Sequence, residues 1–150
     1  MWDDEYLYIG AIVTSTSHQN NKKNASVWRG DSLFIGLGLA EDQAAEYRFI
    51  FALGGGGIPL GYLLNFPNET LDGTGMNVEI LLHKSDYFVA RAEDKTTYEV
   101  RFRWSDYTLD GRKIEEGFQF YLNVELHTQA KKGDPVLMCY GTYYLSLIHI

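Results

Sequence analysis

Apolar and polar positions alternate along several stretches of the chain. Tyr98, Val100, Phe102 and Trp104 fall on one face of a strand, and Thr97, Glu99, Arg101 and Arg103 fall on the other. Phe118, Phe120, Leu122, Val124 and Leu126 likewise oppose Gln119, Tyr121, Asn123, Glu125 and His127. Tyr47, Phe49, Phe51 and Leu53 make a third apolar row, with Glu46 and Arg48 opposite. A period of two over such lengths predicts β-strands with one dry and one wet face. A polar turn feeding an apolar stretch predicts two more strands, one after Asp3-Asp4-Glu5 that ends in Val13-Thr14 and one over Leu33 to Leu37 after Trp28 to Ser32. Four shorter strands are expected at Leu60 to Phe66, Val78 to Leu82, Tyr87 to Arg91 and Pro135 to Tyr140.

Turn chemistry separates these runs. Asp3-Asp4-Glu5 leads into the first strand, and the polar loop Ser15 to Ser26 is too long for a hairpin. Gly54-Gly55-Gly56-Gly57 reads as a flexible connection, a hinge. Asp72-Gly73, Asp110-Gly111 and Lys132-Gly133-Asp134-Pro135 mark further turns, and Ser105 to Arg112 has room for one short helical turn. The expected fold is an all-β antiparallel sandwich of two sheets, with Greek-key, jelly-roll-like or immunoglobulin-like connectivity. Phe49, Phe51, Phe102, Trp104, Phe120, Leu122 and Val124 should point between the sheets.

Composition narrows the classes of function. At 150 residues and 45% hydrophobic the chain is one domain with enough apolar material for a core. A net charge of −7 disfavours nucleic acid or an anionic membrane as a partner. No apolar run approaches the roughly 20 residues of a membrane-spanning helix. Cys139 is the single cysteine, so there is no internal disulfide framework and no Cys-based zinc site. No nucleophile-elbow, zinc-protease or phosphate-loop motif occurs. Asp31, Glu46 and Glu125 are the carboxylates a glycosidase pair would draw on, and that pairing is set by geometry rather than by sequence. Catalysis therefore has little support in the sequence.

Two sets of residues are candidates for binding. Trp28 lies between a polar Asn/Lys/Ser loop and Arg29-Gly30-Asp31. It is either a core indole or a flat apolar platform at the lip of a sheet. Trp2 and Trp104 read as core. Arg48, Asn123, Glu125 and His127 fall on polar strand faces, the last three at spacing two along one strand. Their planar polar groups suit the paired donors and acceptors of vicinal hydroxyls, or else form an ordinary solvated face.

The order of these parts resembles the family 9 carbohydrate-binding modules and their DOMON-like relatives. Trp2, Asp3, Tyr6, Leu7 and Tyr8 match that family's early Trp-Asp-x-x-Tyr-Leu-Tyr strand. Trp28, Asp31 and Ser32 match its Trp-x-x-Asp-Ser turn. Glu46 to Phe49, Tyr98 to Trp104 and Tyr121 to Leu126 resemble three of its later strands. The resemblance implies that Trp28 stacks on sugar, that Arg48 contacts it, and that Glu125 stands where the family has a contacting glutamine. Phe34 replaces a contacting glutamate, and the family's second stacking tryptophan has only Tyr143 or Tyr144 as a substitute.

The resemblance further implies structural calcium, for which Asp3 and Asp4 are the candidates, and a β-glucan, xylan or oligosaccharide ligand. It implies an extracellular, periplasmic or cell-surface location, with catalytic or surface domains covalently attached in a longer parent chain. On this view the chain is a fragment incomplete at both ends, and residues 145–150 resemble translated adapter sequence rather than native protein. A ligand-free accessory sandwich is the alternative. A haem-binding electron-transfer domain, using Met76 or Met138 with His83 or His127, is a third reading.

Overall fold

The structure is a computed structural model that describes residues 1–39, 46–65, 80–107, 119–131, 134–138 and 142–146. Among the described residues, ten strands form two sheets. The first strand, β1 (Tyr6–Thr14), pairs with β7 (Lys95–Arg103), which pairs with β6 (Tyr87–Ala92). The larger sheet is built around β2 (Ser32–Leu39), with β3 (Glu46–Gly54), β4 (Ile58–Asn65) and the short β5 (Ile80–Leu81) on one side. On its other side lies β8 (Gln119–Lys131), whose far edge takes β10 (Thr142–Ser146) at one end and β9 (Asp134–Met138) at the other. Every pairing is antiparallel. The local order β8-β2-β3-β4 is that of a Greek key, a late strand returning to lie beside the first. The fold is an antiparallel β-sandwich.

Its core is the one expected from alternation. Phe49, Phe51, Phe102, Trp104, Phe120 and Leu122 are buried between the sheets, and Val124 packs against them. Phe102 lies 4.7 Å from Phe49 and 6.2 Å from Phe51, ring centre to ring centre, and so joins the two sheets. Trp104 meets Phe120 edge-on at 5.7 Å, and its indole N–H donates to the Asp3 carbonyl at 3.0 Å. Trp2 is partly buried against the same cluster. Deleting a ring such as Phe49 should cost about 3–5 kcal/mol. The polar rows face out, with Arg101 half-buried and Arg103 exposed. Trp104–Tyr107 forms a helical turn, α1, that overlaps the first residues of the stretch expected for it.

The tetraglycine segment is a tight turn rather than a hinge. Gly54 pairs with Ile58, and the Gly57 amide donates to the Gly54 carbonyl at 3.0 Å. Gly56 and Gly57 have φ of 81° and 73°, a region costly for residues bearing a Cβ. Gly55 donates to the Lys22 carbonyl at 2.7 Å, tying this turn to the loop after β1. A Cβ at Gly55 would stand 2.7 Å from the Asn21 carbonyl oxygen. Four glycines therefore let one hairpin turn tightly and press against a neighbouring backbone.

The loop after β1 is ordered by its side chains. Asn20 donates to the carbonyls of Val27 and Asp31 at 2.8 and 3.1 Å, and Asp31 accepts the Gln19 amide at 2.7 Å. The loop ends in a 3-10 helix (Ala25–Arg29), whose Asn24 cap accepts the Ser26 amide. This helix drops Val27 onto the outer face of the larger sheet. There it makes a second apolar cluster with Phe34, Ile50, Ala52, Leu60 and Leu64. Among the described residues, no helix is long and apolar enough to cross a membrane. Residues 147–150 of the expected non-native tail lie outside the described residues, while Leu145 and Ser146 pair with Phe120 and Gln119.

Candidate functional site

Register brings the polar candidates together on the outer face of the larger sheet. Gly36 in β2 stands opposite Arg48 on one side and Asn123 on the other. The next row is Ile50, Phe34 and Glu125, and the one after it Ala52, Ser32 and His127. Gly36 has no side chain, so Arg48 reaches across β2 to Glu125. One Arg48 Nη2 lies 3.2 Å and 3.3 Å from the two carboxylate oxygens. Asn123 Nδ2 donates to Glu125 Oε1 at 2.8 Å, and His127 Nε2 lies 3.4 Å from Oε2. Three side chains from two strands thus share the Glu125 carboxylate as their hub.

Aromatic contacts complete the cluster. The His127 ring stacks on Phe34 at 4.0 Å, and the Arg48 guanidinium lies 5.6 Å above the same ring. Phe34 is therefore the buried floor of the site, at the position where the resembling family has a contacting glutamate. Its part was missed in the sequence, though one signal pointed to it. Leu33-Phe34-Ile35 does not alternate, which is the mark of a strand covered on both faces.

The electrostatics follow from burial and pairing. Burial pushes the Glu125 carboxyl upward, but the charge of Arg48 and hydrogen bonds from Asn123 and His127 hold it below its ordinary value. His127 is lowered, chiefly by burial, against the opposing pull of Glu125 and of a hydrogen bond with the Trp28 backbone. At neutral pH the cluster thus holds an ionised carboxylate beside a neutral imidazole. Arg48 remains 46% exposed while Glu125 is only 13% exposed, so the face offers solvent a guanidinium edge rather than a carboxylate.

Trp28 adjoins this cluster through that backbone contact with His127. It is half-buried and packs on the second apolar cluster. The Arg29 guanidinium lies 4.8 Å over its ring and covers one face of the indole. Tyr143 and Tyr144 stand opposite Leu122 and Tyr121 in backbone register, and their side chains lie outside the described residues.

The other candidates are held in local structure. Asp3 Oδ1 accepts the amides of Glu5 and Tyr6 at 2.9 and 2.7 Å, and Oδ2 accepts the Tyr8 hydroxyl at 2.9 Å. A carboxylate already satisfied by three donors does not fit a calcium ligand, and Asp4 is an exposed neighbour in the same turn. Among the described residues, no three His, Cys, Asp or Glu side chains converge as a metal site. Asp31 faces His18 at 3.6 Å inside its loop, and the Glu46 side chain lies outside the described residues. His83 is exposed in the turn before β6, against Ser85, while His127 lies in β8 of the other sheet. Met76 and the Met138 side chain lie outside the described residues.

No family model matches the chain, and no curated protein matches it either.

Proposed function

We propose that the chain binds carbohydrate without catalysis, on the outer face of its larger sheet. The observation that supports this is the meeting of Trp28, Arg48, Asn123, Glu125 and His127 on one face from three separate parts of the sequence. The exposed edge of Arg48 donates to ring hydroxyls, and the Asn123 amide oxygen accepts from them. Glu125 acts through Arg48 and Asn123, holding both in place. Trp28 supplies the flat apolar surface on which the C–H groups of a pyranose stack.

The ligand follows in class from the resemblance to family 9 modules, as a β-glucan, xylan or their oligosaccharides. The same resemblance suggests a secreted or surface parent protein that degrades or binds glycan. A single half-buried platform and few free donors give weak binding, with Kd nearer about 1 mM than 1 μM. Calorimetric titration with cello- and xylo-oligosaccharides tests the reading. Trp28→Ala should remove most of the affinity, and Arg48→Ala should weaken it without abolishing it. Unchanged binding in both variants would place the site elsewhere.

The ligand-free accessory sandwich keeps one specific observation in its favour. Both oxygens of Glu125 are already engaged, and Arg29 covers one face of Trp28. On that reading the cluster fastens the loop to the sheet, and no oligosaccharide in the titration binds.

A further inference from the structure

The smaller sheet has a concavity of its own, on the opposite side of the sandwich. Gly10 in β1 stands opposite Glu99 in β7, and Glu99 opposite Phe88 in β6. One row across all three strands therefore holds a glycine, a carboxylate and a phenyl ring. Tyr8 and Arg101 form the adjoining row. A Cβ at Gly10 meets nothing within 4 Å, so the row has an open floor. The resulting trough has a volume of about 640 Å³ and is lined by Tyr8, Gly10, Lys84, Phe88, Glu99 and Arg101 among others. That lies within the ~300–1,000 Å³ of ordinary small-molecule sites.

Its chemistry selects the occupant. Phe88 is 52% exposed and offers a flat apolar face. Glu99 is exposed and has no side-chain hydrogen bond or ion pair among the described residues, so its oxygens are open to donors. Four side-chain charges line the trough and cancel, Lys84 and Arg101 against Asp86 and Glu99, and the Met1 ammonium beside them donates to the Tyr8 carbonyl at 3.1 Å. Arg101 is already paired with Asp86 at 3.1 Å. A cation would meet Lys84 and Arg101, an anion would meet Asp86 and Glu99, and a wholly apolar ligand would strip water from all four. A neutral polyol meets none of these costs. Its hydroxyls donate to Glu99 and accept from Lys84 while its C–H face lies on Phe88. A smaller cavity of about 240 Å³ shares Ser85, Asp86 and Arg101 with the trough and runs on toward Tyr6 and Arg103. The two together favour a chain of sugars over a single ring.

We propose that the Gly10 trough is a separate binding site for a neutral oligosaccharide. It stands on the smaller sheet's own residues and does not depend on the Trp28 face. The test is an amide chemical-shift titration of the whole chain with cellotetraose, xylotetraose and maltotetraose. The amides of Gly10, Phe88 and Glu99 should move with at least one of them. Gly10→Leu, whose side chain enters open space, and Phe88→Ala should each weaken that response by about tenfold, as loss of a central contact does. Arg48→Ala should leave it unchanged. Should Gly10→Leu fail to fold, Phe88→Ala and Glu99→Ala decide by the same loss.

Four results would overturn the proposal. They are no shift on this face with any of the three sugars, shifts that persist in Gly10→Leu and Phe88→Ala, a response to choline or citrate alone, and shifts that grow with protein concentration without sugar. The last would assign the trough to a second copy of the chain. Failure here with shifts retained around Arg48 would leave the Trp28 reading standing.

Discussion

Glu125 accepts from Arg48 and Asn123 while His127 closes on its second oxygen, and this sharing sets how the face responds to acid. His127 is lowered from its ordinary value of 6.5, so the unfolded chain takes up its proton first. Its contribution is fully present above pH 6.5 and is lost as pH falls from there through the folded value. Glu125 is lowered from 4.5, so its contribution is present above pH 4.5 and is lost on further acidification through its own folded value. Melting temperature should therefore begin to fall below pH 6.5, and His127→Gln should flatten that upper part of the profile. An unchanged profile in His127→Gln would mean that another group sets the acid response. Trp28→Ala should cost about 1–2 kcal/mol, less than the 3–5 of a fully buried aromatic, because the indole is half-buried on Val27 and its neighbours. Arg29→Ala should tighten sugar binding about two- to fivefold, since an exposed cation–π contact worth roughly 0.5–1 kcal/mol no longer covers the ring. A loss of affinity in Arg29→Ala would mean that the guanidinium is itself a ligand contact. The polar members of this face were legible from alternation alone. Arg29 over Trp28 was not, because a stack between chain neighbours depends on rotamers that no periodicity records.

Strand alternation predicted both inner faces, since a slip of one residue would turn every buried ring outward. What it did not reveal was the cover on the outer face of the larger sheet. Ile50 and Ala52 share the outer face of β3 with Arg48, and they are buried because Val27 and Trp28 come down on them from a loop without apolar period. The tetraglycine turn was misread for a related reason. Composition reports that glycine is flexible, whereas here it permits positive φ and a backbone contact. Two substitutions separate those functions. Gly56→Ala should cost about 1–2 kcal/mol through its φ alone and leave sugar affinity intact. Gly55→Ala must move the Asn21 carbonyl, so it should loosen the loop that carries Trp28 and weaken binding as well. Urea midpoints and sugar titration of the pair check this, and equal affinities in the two variants would uncouple the turn from the site.

At the scale of the whole molecule, two sheets enclose one aromatic core and leave two outer faces of different chemistry. The larger sheet presents an ion-paired cluster beside a half-buried indole, and the smaller one a charge-balanced trough. Both depend on pairings between distant parts of the chain, β2 with β8 and β1 with β7, which is why neither site is contiguous in the sequence. On the proposed function, the Trp28 face binds carbohydrate. Its most direct test is an amide and side-chain chemical-shift titration with cellotetraose and xylotetraose. The Trp28 indole N–H, the Arg48 Nε–H and the Asn123 side-chain amide should move together along one saturation curve, and the latter two should stop moving in Trp28→Ala. Resonances of all three groups that stay fixed through the titration, or Arg48 and Asn123 resonances that still move in a folded Trp28→Ala variant, would contradict it.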